Sequence, residues 1–273
     1  MKDKFGTISK IIVILLAVLL VCFGIILIFD KGFNGTVGDW FKGSFIELYS
    51  WSDDYSSTYV ASFAKDHNLS LSEWPDHLIE LLEKNPEATD FVLNYPLKKD
   101  LKPDIDLSEY VGYNEVPLLL QWDERWGYSE YAGDMMGLSG CGPTCLSMVC
   151  IFLLKDASYT PRYVAQFATE NGYSVSGNGS SWTLISEGGV KLGLDVTEIP
   201  LDENRIIRNL EAGNPIICVV GPGFFTTTGH FIVMTEYEDG YVKVNDPNSP
   251  DRSMQSWKLT DVMDQIRNLW VCR

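Results

Sequence analysis

Residues Ile11 to Phe29 form an apolar run with no charged side chain and a single glycine, Gly24. As a helix this run spans about 29 Å, matching a hydrocarbon core of about 30 Å. It divides the chain before any other feature does. The sequence predicts a cytoplasmic N-terminus and transmembrane anchor over 1–30, a linker and helical extension over 31–115, and a folded domain over 116–273. Lys2, Lys4 and Lys10 precede the run, offset only by Asp3, while Asp30, Lys31 and Asp39 follow it. The positive-inside rule then exports everything after residue 30. No A-x-A-like cleavage site follows, so an uncleaved single-pass anchor in the cell membrane is expected, with the folded domain extracytoplasmic. A lipoprotein reading through Leu19-Leu20-Val21-Cys22 is weaker, because Val21 is bulky and the apolar run continues beyond Cys22.

The formal net charge of −16 argues against nucleic acid as a partner and against a polybasic grip on anionic lipid. Hydrophobic residues at 45% and aromatics at 12% are ample for a core. Cys22, Cys145, Cys150, Cys218 and Cys272 read as buried small hydrophobes. A Cys145–Cys150 bridge is disfavoured because five positions along one helix point to different faces. Sequence leaves open a disulfide involving Cys272.

The remaining cysteine stands apart. Gly140-Cys141-Gly142-Pro143-Thr144 places it at a turn that opens into an apolar helical run. At a helix N-terminus, unpaired N–H groups and the macrodipole favour thiolate over thiol. Gly140 and Gly142 are expected to let a substrate backbone come close. A nucleophile needs a base and a group that orients the base. Of three histidines, His67 and His77 lie in a charged segment and read as solvated surface. His230 instead heads Phe231-Ile232-Val233-Met234, a buried strand. The turn Glu238-Asp239-Gly240 returns the chain along Tyr241-Val242-Lys243-Val244, so that Asp246 or Asn245 arrives beside His230. Acyl transfer also needs oxyanion donors. The Cys141 amide supplies one, and Gln121 is the candidate for the other, against the plainer reading of a polar residue at a strand end. Cys141, Cys145 and His230 make a poor zinc set, since the spacing is unusual and no fourth ligand suggests itself. No metal or cofactor is expected.

Four motifs stand in order: Gln121-Trp122-Asp123-x-x-Trp126-Gly127, Gly140-Cys141-Gly142-Pro143-Thr144, Gly229-His230-Phe231-Ile232-Val233 and Val244-Asn245-Asp246-Pro247. Together they resemble the stand-alone relatives of the bacteriocin-leader cysteine peptidases, papain-like enzymes whose better-known members remove double-glycine leaders. The resemblance covers Val116 to Arg273. It implies an α+β papain-like fold, with Cys141 as nucleophile, His230 as general base, Asp246 as orienting acid and Gln121 as oxyanion donor. It also implies peptide or protein substrates. One departure is that the Tyr128–Ser139 insertion separates Gln121 from Cys141, where the family keeps the two within a few residues. The same Cys-His pair would also serve a cell-wall peptide amidase or an acyltransferase, and the fold alone would serve a silent surface module. With no G-x-x-x-x-G-K motif and an outward-facing site, leader cleavage is not assumed. Oligomeric state is not legible.

Asn34 to Asp39 reads as a linker, and Ser50 to His67 as helix or turn. Leu78, Ile79, Leu81 and Leu82 give Asp76–Lys84 an amphipathic face, with Ser72 as its cap and Asn85-Pro86 as its stop. A second helix is expected from Glu87 to Asn94, ending at Tyr95-Pro96, with Leu97–Tyr113 extended across the surface. The extension is read as docked on the enzyme, with an inhibitory pro-region as the rival reading. Helices are predicted over Leu146–Leu154, from Thr160-Pro161 to Ala168, over Trp182–Leu192 and over Asp202–Ala212. Strands Ile216–Val220, Phe231–Glu236 and Tyr241–Asn245 should form an antiparallel sheet, with Gly221–Thr228 as a loop bordering the cleft.

Overall fold

Alternation of side chains in the last third of the chain builds the sheet on which the rest is hung. A computed structural model describes residues 57–273. The apolar run Ile11–Phe29, Cys22, the Asn34–Asp39 linker and residues 50–56 lie outside the described residues. Among those described, no helix is long and apolar enough to cross a membrane. Two small hairpins, β1 (Glu130–Tyr131) with β2 (Asp134–Met135) and β3 (Ser174–Val175) with β4 (Gly179–Ser180), precede the main sheet. That sheet has six strands: β5 (Val196–Glu198), β6 (Ile216–Val220), β7 (His230–Glu238), β8 (Tyr241–Asn245), β9 (Ser256–Lys258) and β10 (Ile266–Cys272). Its order is β5-β10-β6-β7-β8-β9, and every pairing is antiparallel.

Successive strand residues point to opposite faces, which gives the sheet two cores. Ile217, Val219, Phe231, Val233, Trp270 and Cys272 face one core. Ile216, Cys218, Val220, Ile232, Met234 and Val244 face the other. The first core is closed by α3 (Cys141–Leu154) and α4 (Pro161–Glu170), the second by α5 (Glu203–Glu211) through Ile206 and Leu210. Thr160 and Asp202 cap α4 and α5 through Tyr163 N–H and Arg205 N–H, as their sequence positions require. The three predicted strands are present. β10, unforeseen, inserts between β5 and β6. Arg267 and Asn268 interrupt its alternation, and a bulge between Ile266 and Asn268 restores the register. The segment expected as one helix over Trp182–Leu192 is a π-helical turn, Leu184–Gly188, running into Gly189–Lys191.

The extension differs from expectation in its ends. Ser70, not Ser72, makes the capping box, closing a 3-10 turn Leu71–Glu73 with Glu73. α1 (Asp76–Lys84) begins after Pro75 without a side-chain cap and ends at Asn85. α2 (Thr89–Lys98) runs through Pro96 instead of stopping before it. Proline lacks the N–H that would reach Val92 O, so an interior proline normally strands that carbonyl. Here the Trp74 indole N–H donates to Val92 O at 2.8 Å, supplying the missing bond. Leu97–Tyr113 is not merely a surface strip, since Leu107 is fully buried in the first core. Cys141, Cys145, Cys150, Cys218 and Cys272 are all free thiols.

Trp74→Phe keeps the ring but leaves Val92 O buried without a donor. It should destabilise folding by about 1–3 kcal/mol, read as a lower denaturant midpoint at unchanged m-value.

Candidate active site

Cys141 is the first residue of α3, preceded by Gly140 at the N-cap, and it is partly exposed while the ten residues after it are buried. His230 opens β7, pairing with Val220 at the end of β6. The β7–β8 connection is the two-residue turn Asp239-Gly240, with φ values of +47° and +89°. This is the I′ geometry that an Asp-Gly pair favours. The returning strand brings Asn245 opposite Val233, and the next residue completes the site. His230 Nε2 lies 2.8 Å from Asp246 Oδ1. With Nε2 committed to Asp246, Nδ1 is the ring nitrogen left for the Cys141 thiol, which lines the same cleft as His230. Asn245 is excluded as the partner because its amide donates to Val116 O and Pro117 O at 2.9 and 3.2 Å.

Asp246 is wholly buried, and its second oxygen accepts from Arg252 Nε at 2.6 Å. Sequence reading missed Arg252. The signal was Ser249-Pro250, an N-cap followed by proline at the first helical position, which starts the short helix Pro250–Met254 carrying it.

Electrostatics follow from these contacts. Burial opposes charge on Cys141, but the His230 hydrogen bond and charge, with the Phe231 and Gly142 amides, bring its pKa below the usual thiol value. Four residues along, Cys145 has burial without such partners, and its pKa is pushed well up. For His230 burial favours the neutral ring, yet the Asp246 charge and hydrogen bond outweigh it and raise the imidazole to about 10. Burial would raise Asp246, and His230 and Arg252 hold it below its ordinary value instead. Folding lifts the imidazole from 6.5 to about 10, so its stabilisation is complete below 6.5 and lost as pH rises through about 10. The depressed carboxylate contributes in the opposite sense, losing its stabilisation as pH falls through its folded value.

Gln121 is buried, its backbone N–H donating to Pro247 O at 2.7 Å and its amide to Gly137 O at 2.9 Å. Its Oε1 has no partner. The Tyr128–Ser139 insertion folds as β1, β2 and the short helix Met136–Ser139, and Gly137 O of that helix accepts from the Gln121 amide. The amide keeps one N–H uncommitted to Gly137.

The cleft at Cys141 and His230 encloses about 430 Å³, with Trp182, Leu138, Asp134 and Thr228 among its walls. No residue from 57–115 lines it. A larger cavity of about 890 Å³ beside Lys102, Arg125 and Arg162 holds neither cysteine nor histidine. At both glycines the space that a Cβ would take is already filled. A Cβ on Gly142 would sit 2.5 Å from Ser180 Oγ, and one on Gly140 would sit 2.6 Å from Met136 O. They are small so that β4 and the preceding helix can close against α3. His67 and His77 are exposed and are not among the residues lining the cleft. His67 stacks on Phe63, and His77 lies 3.6 Å from Asp134.

Alkylation of Cys141 should begin at lower pH than for an ordinary thiol. In His230→Ala the burial penalty remains without its compensation, so the reactive limb should move to higher pH. Mass spectrometry of the labelled site across pH reads this directly.

The Peptidase_C39 like family matches residues 113–272, more than half of the chain. No curated protein matches. Among solved structures the chain is similar to the peptidase domain of Streptococcus ComA, a bi-functional ABC transporter involved in quorum sensing, at 18% identity and TM-score 0.40, covering 49% of this chain and 89% of that one. It is also similar to a C39-like peptidase from Bacillus anthracis, at 13% identity and TM-score 0.33, covering 63% of this chain and 98% of the other. The chain belongs to the Peptidase_C39 like family and is a cysteine-type peptidase.

Proposed function

We propose that the protein hydrolyses peptide bonds through Cys141, His230 and Asp246, with Gln121 and the Cys141 amide as oxyanion donors. The observation that carries this reading is buried Asp246 bonded to His230, with His230 and the partly exposed Cys141 thiol lining one cleft. Cys141 Sγ, as thiolate, attacks the scissile carbonyl carbon. Charge develops on the carbonyl oxygen beside the α3 N-terminus, where backbone N–H groups are unpaired. The tetrahedral intermediate collapses with cleavage of the C–N bond, and His230 Nδ1 gives its proton to the leaving amine, leaving a thioester. A water then attacks that thioester, gives a proton back to His230, and releases the acid and the thiolate. Asp246 remains ionised throughout, fixing the ring and supporting the imidazolium.

The proposal extends to place. The Ile11–Phe29 run and the lysines before it support a single-pass anchor with the catalytic domain outside the membrane. Peptides or proteins at that surface are the substrates this reading favours.

Cys141→Ala should abolish cleavage of any peptide that the wild type cuts in a library screen. Gln121→Ala should lower kcat by about 10²–10³ with little change in KM, as loss of one oxyanion donor does. Full-length protein should remain with membranes after carbonate washing, and a chain starting at residue 31 should not. Cleavage that survives Cys141→Ala would overturn the site, and release of the full chain by carbonate would overturn the anchor.

A further inference from the structure

The turn that follows Asp246 is tied down by residues far earlier in the chain, of which Asn85 and Glu87 lie outside the matched domain. Asn248 O accepts from Asn85 Nδ2 at 2.6 Å and from Trp122 Nε1 at 3.1 Å. Glu87, between α1 and α2, accepts from Asp251 N–H at 2.8 Å on one oxygen and from the Ser249 hydroxyl on the other. Ser249 and Asp251 form the first turn of Pro250–Met254, the short helix that carries Arg252. Asn248 N–H and Arg252 Nε in turn occupy the two Asp246 oxygens at 2.8 and 2.6 Å. Asn85 is itself buried and its own Oδ1 accepts from Glu87 N–H, so the two residues act as one fitting. None of this touches the cleft, whose walls include no residue of the extension.

We infer that the helical extension is a positioning clamp for the acid loop, in which Asn85 and Glu87 fix the Asn248–Asp251 turn so that Arg252 and Asn248 hold the Asp246 carboxylate on His230. This rests on the reading of Cys141, His230 and Asp246 as catalytic. The clamp has the opposite sense to an inhibitory pro-region, because detaching it loosens the acid and lowers thiolate reactivity. Glu87, Asn85 and Arg252 are positioning residues that act through Asp246.

The test uses the full chain and iodoacetamide, and needs no knowledge of the substrate. Labelling of Cys141 is followed across pH in wild type, Glu87→Gln, Asn85→Ala, His230→Ala and Glu80→Gln, with thermal unfolding recorded for each. Glu80 is an exposed residue of α1 paired with Lys84, and serves as the control. A glutamine at 87 keeps the shape but cannot accept from both donors. Its labelling rate on the rising limb should fall about threefold to tenfold, corresponding to a limb shifted up by about 0.5–1 unit. Asn85→Ala should do the same by cutting the other tie, and Glu80→Gln should match wild type. A limb unchanged in Glu87→Gln and Asn85→Ala while His230→Ala shifts it would overturn the clamp and leave the catalytic reading standing. A lowered melting temperature with an unchanged limb would also overturn it, since that is a structural role only. Equal labelling of wild type and His230→Ala would instead remove the catalytic reading on which the clamp rests.

Discussion

A carboxylate with no exposed surface sits at the centre of this protein, and most of the site exists to satisfy it. Taking an isolated anion out of water costs several kcal/mol unless donors replace the lost solvation. Asp246 has three at close range: His230 Nε2, Arg252 Nε and Asn248 N–H. Each comes from a different local element, so β7, the Asn248 turn and the Pro250–Met254 helix must all be in place together. The charge that orients the imidazole is also a charge the fold must keep paired.

Around that anion the architecture divides labour. The helical side supplies Cys141 at a helix N-terminus, and the sheet supplies His230 at the start of a strand. The two meet because α3 packs on the face of β6 and β7 that carries Val219, Phe231 and Val233. Burial then acts in opposite ways on neighbouring thiols. It is outweighed at Cys141 by His230 and two amides, and it stands unopposed at Cys145. The insertion before the nucleophile lengthens the sequence path from Gln121 to Cys141. Within it, Gly137 O accepts from the glutamine amide.

Much of this was legible in the chain. The Asp239-Gly240 turn declares a tight hairpin, and a tight hairpin returns residue 246 to residue 230. Thr160 and Asp202 announce their helices because a capping side chain acts within three residues. What failed to show depended on partners far along the chain. Pro96 reads as a helix end until Trp74 supplies the donor that it lacks. Gly140 and Gly142 read as openings for substrate until Met136 and Ser180 are found against them. β10 reads poorly because a bulge resets its alternation, yet it lies inside the sheet.

The sequence by itself determined Cys141's place at a helix start, the histidine at a strand start, and a hairpin that brings an acid back, since caps, turns and strand period are short-range physics. Only the tertiary structure decided between Asn245 and Asp246. The choice rests on Val116 and Pro117 carbonyls capturing one side chain, and on Arg252 with His230 capturing the other. It alone showed that Asn85 and Glu87 reach the acid loop across more than 160 residues of chain. Such contacts leave no periodic or local trace, because the geometry that makes them exists only once both partners are folded.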